Sequence, residues 1–345
     1  MPGDVAAPDE VVVTGAAGWL GQNLVRALAP TRSRVRCLVH TKDDAPLVEI
    51  VGPNVEVVVG DVRDPSALDT LFDGVGTATV FHTAAVIHPP KATRDFFDVN
   101  VGGTELMLDG ARRSGAVRFV HVSSNSPFGA NAGPTDVFTE DAPFRPYLSY
   151  GQSKMEAEQL VTRRFERGDL ATVILRAPWF YGRYQPERQT RFFSGVRRGR
   201  FPLIGDGTQR RSMVNTDNLV HGLLRAEVAS AAPGRAYWIA DPRPYELREI
   251  LSTVRDALAA EGLSVSRRAP LHIPRFAAEV AARVDAIAQQ RGRYVQVVHV
   301  IGELKDTIAC DVSRAQREIG YDPPVTLLDG MRASVRWCLE RGDDI

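Results

Sequence analysis

The chain has 345 residues, enough for one full domain and a smaller second one. Apolar side chains make up 44% and charged ones 24%, a globular make-up that excludes a disordered or low-complexity chain. Lysine plus arginine (42) balance aspartate plus glutamate (42), which removes a global field for nucleic acid or an anionic membrane. Cys37, Cys310 and Cys338 lie far apart with no CxxC spacing. That argues against a structural zinc site or a disulfide scaffold and fits a reducing cytoplasm. Met1 to Glu10 is polar and contains proline, so neither a signal peptide nor an anchor is indicated. No stretch approaches the roughly 20 apolar residues of an integral membrane segment.

Glu10 to Thr14 is an apolar run that reads as a strand buried on both faces, as in a parallel sheet. It enters Gly15-Ala-Ala-Gly18-Trp-Leu-Gly21, and then Leu20, Leu24, Val25 and Leu28 repeat at helical spacing. Glycines in such a turn permit close approach of a pyrophosphate to backbone N–H groups at a helix N-terminus. Arg34 to Val39 is the second strand. At its end an acid would bind a ribose 2′-hydroxyl and a base a 2′-phosphate. His40, Thr41 and Lys42 stand there, with Asp43 and Asp44 beyond, so the pattern leans to NADP over NAD. Val55 to Val59 is the third strand, followed by Asp61 and Val62, which could hold an adenine edge, and Asp64, which suits a helix N-cap before Pro65.

Ala78 to Phe81 is the fourth strand and leads into His82-Thr83-Ala84-Ala85, whose small residues let a flat ring or ribose lie against the backbone. His82 reads as an orienting or packed histidine. The loop Val86 to Lys91 carries His88 as a candidate substrate contact. Asp95 to Arg113 reads as one long helix holding the polar Asn100. Val117 to Val122 is the fifth strand and delivers Ser123, Ser124, Asn125 and Ser126 to a sheet edge where a reacting oxygen could bind. A polar stretch to Tyr147 reads as a loop covering the site, and Tyr150-Gly-Gln-Ser-Lys154 opens the next helix. Four residues apart, the phenol and the ammonium share one helix face, and the cation can draw the phenol down from about 10 toward a value useful for proton transfer. Ala171 to Leu175 is a sixth strand. Strand and helix alternating in this way signal a doubly wound parallel sheet.

Taken together, these motifs resemble the extended short-chain dehydrogenase/reductase superfamily, also called the NAD-dependent epimerase/dehydratase family. The resemblance covers nearly the whole chain. It rests on TGAAGWLG from Thr14, GDVRD from Gly60, HTAA from His82, DVNVGGT with Asn100, Ser123-Ser124, YGQSK from Tyr150, LRAPWFYG from Leu175 and GDGTQRRSMVNTDNLVHG from Gly205. It implies an α/β fold, a Rossmann-type doubly wound parallel sheet over 10–175. A smaller, mostly C-terminal α/β substrate domain over 176–345 would follow, with about 208–240 returning to the first. Tyr150 would be the acid/base, Lys154 would bind the nicotinamide ribose and lower the Tyr150 pKa, and Ser124 would position the reacting oxygen. The dinucleotide, NAD or NADP, would meet Gly15, Ala17, Gly18, Trp19, Leu20, Gly21, His40, Lys42, Asp61, Val62, Thr83, Ala84, Ala85, Asn100, Ser123, Pro178 and Tyr181. Ser123 and Tyr181 would line the nicotinamide, and Asn100 would support the Tyr150 helix. A homodimer through the Asn100 and Tyr150 helices and a small-molecule substrate are also implied.

Departures from the family pattern bear on the substrate. Dehydratases and decarboxylases carry an acid just after the Ser/Thr, where Asn125 and Ser126 stand, which argues against elimination. Trp179 occupies a place where sugar-nucleotide epimerases keep an asparagine, and it suggests an apolar substrate. Arg211 points the other way, since many sugar-nucleotide enzymes hold a diphosphate with an arginine there. His88, Ser126, Trp179 and Arg211 are therefore the candidate substrate residues. Between 263 and 310, Ile273, Phe276, Val280, Val284 and Ile287 make one apolar helix face, expected chiefly as core, with Glu279, Arg283 and Asp285 off it. That segment and the C-terminal run resemble 3β-hydroxysteroid dehydrogenase-like members. The expectation is an oxidoreductase interconverting a secondary alcohol and a ketone on a steroid-like or terpenoid-like substrate. A sugar-nucleotide 4-epimerase is the alternative, and a non-catalytic dinucleotide-binding protein the third reading.

Overall fold

The computed structural model describes residues 3–89, 92–268 and 271–345. Pro90 and Lys91 of the expected substrate loop lie outside them. Seven strands form one parallel sheet: β1 (Glu10–Thr14), β2 (Arg34–Val39), β3 (Val55–Val59), β4 (Ala78–His82), β5 (Arg118–Ser124), β6 (Thr172–Ala177) and β7 (Ala236–Trp238). Their order is β7-β6-β5-β4-β1-β2-β3. The order in which successive strands are added reverses between β1 and β4, where Thr14 lies level with His82. That switch point opens a crevice at the strands' carboxyl ends, where open α/β sheets bind ligands.

The central strands are apolar on both faces because helices cover both. Val11, Val12 and Val13 are fully buried, and α1 (Trp19–Leu28) lays Leu24, Val25 and Leu28 on one face together with Leu219 and Leu223 of α2 (Thr216–Val228). The other face receives Leu68 and Leu71, Met107 and Leu108, and Val161. A separate apolar cluster lies in the C-terminal lobe, where Phe192, Phe193, Ile250, Val254, Met331 and Val335 meet.

The long helix expected from Asp95 is broken into three parts. Arg94–Phe97 is α-helical, Asp98–Gly103 is a π-turn, and Thr104–Ser114 resumes the α-helix. The extra residue of the π-turn falls at Asn100, whose side chain leaves the helix to bind elsewhere, a common reason for such bulges. In the C-terminal segment Arg275–Gln290 is helical, as its period implies, but it lies with the opposite face inward. Phe276, Val280, Val284 and Ile287 are exposed, and Ala278, Asp285 and Gln289 are the buried residues. The expectation that this stripe is core is therefore corrected. The inward side is polar and satisfied: Asp285 accepts from Gln289 Nε2 at 3.1 Å and pairs with His299 Nδ1 at 2.8 Å. Among the described residues no helix is long and apolar enough to cross a membrane.

Candidate active site

The glycine turn after β1 is shaped by close approach. Gly15 has φ +65°, and a Cβ there would come within 2.8 Å of Ala84 in the turn after β4. A Cβ on Gly21 would lie 2.1 Å from the Gly15 carbonyl oxygen, so α1 can start against β1 only with glycine at that place. The first turn of α1 carries no acid, leaving its positive end to an anion. Thr83 Oγ1 donates to the Thr14 carbonyl at 2.7 Å, which ties the ends of β1 and β4 together. Ser123 Oγ is buried at the end of β5 with no partner among the described residues. An orphaned hydroxyl, small residues at Ala84 and Ala85, and a glycine cradle fit a dinucleotide, with Ala17, Gly18, Trp19 and Leu20 supplying the surrounding backbone. Trp19 closes one side by donating from Nε1 to the Arg183 carbonyl at 2.9 Å.

At the adenine end Asp64 caps its helix, accepting the Ser66 N–H at 3.0 Å. Asp61 is held by Arg63 through contacts of 2.9 and 2.7 Å, and these keep its carboxyl below the usual range. His40 Nδ1 lies 3.6 Å from the same carboxylate with its ring largely in solvent. Lys42 opens a short turn stabilised by Thr41 and Asp44. Val62 is buried under Gly103, so only its backbone could meet a ligand.

Tyr150 sits in the first turn of α3 (Leu148–Glu166). Gly151 beside it is required, because a Cβ would lie 2.4 Å from the Ser126 carbonyl oxygen. Burial pushes the Tyr150 phenol up to about 12, and the Ser124 hydroxyl facing it pulls the other way. Ser124 Oγ also lies 3.3 Å from Ser126 Oγ and accepts the Ser126 N–H at 3.3 Å. Lys154 is buried one turn on, with Nζ donating to the Val122 carbonyl at 2.8 Å and lying 3.3 Å from His121 Nε2. Burial brings it down to about 8, opposed by Glu158. In this geometry Lys154 Nζ turns to the Val122 carbonyl of β5, and burial is the main influence on Tyr150.

Three further contacts hold the catalytic helix. Asn100 Nδ2 donates to Ser153 Oγ at 3.0 Å, and Ser153 Oγ donates to the Tyr150 carbonyl at 2.8 Å. Asn100 also exchanges two hydrogen bonds with the Val86 backbone, 2.8 and 3.0 Å, which uses its amide on protein groups. Glu158, nearly inaccessible, receives a forked pair from Arg176 of β6 at 3.1 and 2.8 Å. Ser149 N–H donates to Gln289 Oε1 at 3.3 Å. His82 is packed between Thr14 and Thr104 hydroxyls at 2.8 and 3.0 Å, and burial lowers it to about 3.

Aromatic rings pack about Tyr150. Phe96, fully buried, lies 5.6 Å from the Tyr150 ring and meets Tyr294 edge-on at 5.7 Å. His88 bonds the Tyr294 hydroxyl, and burial lowers it to about 4. Arg188, solvent-accessible, acts electrostatically on His88 and Tyr150 and, among the described residues, has no carboxylate partner at ion-pair distance. Trp179 is half-buried and packs on Phe192 at 5.6 Å. Pro178 is buried at the end of β6.

Two expected contacts need correction. Tyr181 is fully buried and donates to Asp241 Oδ2 at 2.7 Å, so its ring belongs to the C-terminal core and cannot line the nicotinamide. Arg211 is 5% exposed, donates to the Glu303 carbonyl and lies 3.5 Å from Glu303 Oε1, so its fork is not free for a diphosphate. Phe96, Glu158, Arg188, Gln289 and Tyr294 were not legible as site residues. Glu158 had a usable signal, being four residues beyond Lys154 on the same helix face. Tyr294 and Gln289 had none, since their segment carries no motif.

Residues 11–240 match the NAD dependent epimerase/dehydratase family. The chain belongs to that family. It is 30% identical over 332 residues to a 4-hydroxy-2-methyl-3-oxo-4-farnesyl-3,4-dihydroquinoline-1-oxide ketoreductase of Stigmatella aurantiaca, covering 93% of this chain and 94% of the relative. It is 32% identical over 263 residues to a 3 beta-hydroxysteroid dehydrogenase/Delta 5-->4-isomerase of Mycobacterium tuberculosis, covering 72% and 69%. Among solved structures, the dTDP-glucose 4,6-dehydratase DesIV of Streptomyces venezuelae, with NAD and TYD bound, superposes with a TM-score of 0.74. Identity there is 25%, with 96% of this chain and 98% of that one covered. This family member is thus an extended short-chain dehydrogenase/reductase enzyme with hydroxysteroid dehydrogenase-like relatives.

Proposed function

We propose that the enzyme interconverts a secondary alcohol and a ketone on a largely apolar substrate, with NAD or NADP as the hydride partner. The observation that carries this reading is the aromatic packing about Tyr150: the partly exposed Tyr294 borders it over the buried Phe96, and the terminal nitrogens of Arg211, which a diphosphate would need, are already turned to Glu303. Asn125 and Ser126 after Ser124 supply no acid for an elimination. The relatives named for a farnesylated ketone and for a hydroxysteroid support the substrate class.

The nicotinamide, when bound, supplies or accepts the hydride. Tyr150, neutral at physiological pH because burial pushes it up to about 12, donates its proton to the carbonyl oxygen. Ser124 faces that phenol and donates to the same oxygen, holding it in line. Lys154, cationic below about 8, is placed to hold the nicotinamide ribose. The protonated phenol serves the reduction, and the reverse reaction needs the phenolate. The carbonyl ends as a hydroxyl, and Tyr150, only half-buried, regains its proton from solvent. The end of β2 offers His40 and Lys42 ahead of any acid, with Asp44 engaged by Thr41 and Asp61 by Arg63, which favours a 2′-phosphate, whereas the DesIV structure contains NAD. Pairing of two copies through the outer faces of the Thr104–Ser114 helix and α3 is part of the same proposal.

A second reading rests on Arg188, a guanidinium near Tyr150 that could receive an anionic sugar nucleotide for 4-epimerisation. Purified protein is to be offered NADH or NADPH with apolar ketones, and NAD or NADP with hydroxysteroids and dTDP- or UDP-hexoses, with products analysed in parallel. Net nicotinamide turnover with an apolar alcohol or ketone is expected. Sugar epimerisation without net nicotinamide change would replace the first reading by the second.

A further inference from the structure

The helix α4 (Arg275–Gln290) turns its apolar stripe to solvent: Phe276 is 68% exposed, Val280 54%, Val284 51% and Ile287 48%. The roll of this helix is fixed from inside. Asp285 is fully buried between Gln289 and His299, and Gln289 reaches on to the Ser149 N–H at the start of α3. Rolling the stripe inward would carry the Asp285 carboxylate out of these hydrogen bonds and strip the catalytic helix of a partner. The same stretch also exposes Leu271, Val295 and Val297. Such a concentration of exposed apolar side chains marks an interaction surface.

The charges around the stripe are mostly positive. Between 267 and 297 the exposed ionisable side chains are Arg267, Arg268, His272, Arg275, Arg283, Arg291 and Arg293, against Glu279, and the exposed Asp206 follows Gly205, which lies against Arg275. The chain as a whole is balanced, so this excess is local. We propose that this face docks on an anionic lipid bilayer, with α4 lying in the plane of the headgroups. An apolar stripe flanked by arginines is the chemistry of an interfacial helix: Phe276 and the valines enter the acyl boundary, and the guanidinium groups reach lipid phosphates. A second copy of the chain fits less well, because a self-contact would set these arginines against their own equivalents.

The docked face is continuous with the rim of the cleft. Arg293 bridges to Ala92, and the neighbouring Tyr294 bonds His88 beside Tyr150. A bilayer-dissolved substrate would therefore meet the cleft without crossing water, a consequence that rests on the apolar-substrate reading. Docking itself does not need that reading, and it is measured without substrate.

The test is co-sedimentation of the full chain with phosphatidylcholine vesicles, pure or mixed with phosphatidylglycerol. Binding is expected with the mixed vesicles and is expected to fall as salt rises. Val280→Asp combined with Val284→Asp is expected to lower the partition coefficient at least about tenfold. Arg283→Glu with Arg291→Glu is expected to remove the preference for anionic vesicles. All four positions are exposed, so unchanged thermal unfolding checks that these variants fold. No sedimentation with mixed vesicles, equal binding to both vesicle types, or variants that bind as well as the parent would overturn the proposal. So would light scattering in which the Val280→Asp, Val284→Asp variant splits an oligomer, which assigns the face to a second copy. Failure of the alcohol–ketone reading would appear in the turnover assay and leave the partition coefficient unchanged.

Discussion

The first strand–turn–helix unit and the α4 segment carry equally regular apolar patterns, yet they use them in opposite ways. Val11 to Val13 and Leu24, Val25 and Leu28 are all fully buried, whereas the α4 stripe faces outward over a polar inner side. In the first unit the pattern agrees with the neighbours the fold supplies: a parallel sheet sandwiched by helices needs apolar faces on both partners. In α4 the inward neighbours are the start of the catalytic helix and His299, and they call for a carboxylate and an amide. Periodicity thus reports that a face exists. What lies against that face is decided by long-range contacts that no local window contains.

The largest effect that would sharpen this contrast lies in the first unit. Gly21→Val places a side chain where a Cβ alone would already be 2.1 Å from the Gly15 carbonyl oxygen. Loss of dinucleotide binding, read by titration, and a fall in yield of folded protein are expected. A variant that binds normally would show that the turn can open and that the cradle is less constrained than its geometry implies. Next comes Tyr150→Phe, which keeps the ring against Phe96 and removes the proton. Turnover is expected to fall by roughly 10²–10⁴-fold with dinucleotide binding intact. Unchanged turnover would remove Tyr150 from the chemistry.

These two residues were readable because their surroundings are local. Six of the seven sheet strands were visible as apolar runs, and the turn chemistry at Gly15 to Gly21 and the Tyr150/Lys154 spacing each lie within one element. The N-cap role of Asp64 was visible for the same reason. What could not be read depends on distant partners. Tyr181 follows a strand end that faces the crevice, but Asp241, 60 residues on, draws its hydroxyl into the C-terminal core. Arg211 sits in a family motif, and Glu303, 92 residues on, takes its fork. Asn100, expected to support the Tyr150 helix, does donate to Ser153 of that helix, but the π-turn that lets it also bind the Val86 backbone leaves no periodic trace.

Lys154 tests whether burial has been accepted for function. Its ordinary value is 10.5, and burial brings it to about 8 in the fold. Between those values the unfolded chain binds more protons than the folded one, so stability rises with pH from about 8 to about 10.5. Below about 8 the fold carries the full cost of an ammonium in a dry site. Lys154→Met is therefore expected to unfold at a higher temperature than the parent near pH 7, with the difference shrinking as pH rises past 10. Turnover in the same variant should drop sharply. A lower melting temperature at pH 7 would mean that the bonds to Val122 and His121 outweigh desolvation.

The smallest effect comes from the second region and joins it to the first. Leu148, just before the catalytic turn, has φ +53°, a left-handed conformation that costs a branched residue about 1–3 kcal/mol. Tyr147 precedes it as a helix start without a side-chain cap. The bond from Ser149 N–H to Gln289 is thus a cap supplied by α4 to a strained turn. Gln289→Leu keeps the volume and removes the acceptor, a loss of about 1 kcal/mol if the bond is of ordinary strength. If that loss appears as misplacement of Tyr150, turnover should fall about fivefold with little change in KM, and with little change in thermal stability beyond that amount. A purely structural role would instead lower the melting temperature and leave turnover per folded molecule unchanged. The two outcomes separate because the hydrogen bonds of Gln289 run to Ser149, Asp285 and His299 and to no group assigned to the chemistry. Only its hold on the first turn of α3 can transmit its loss to the phenol.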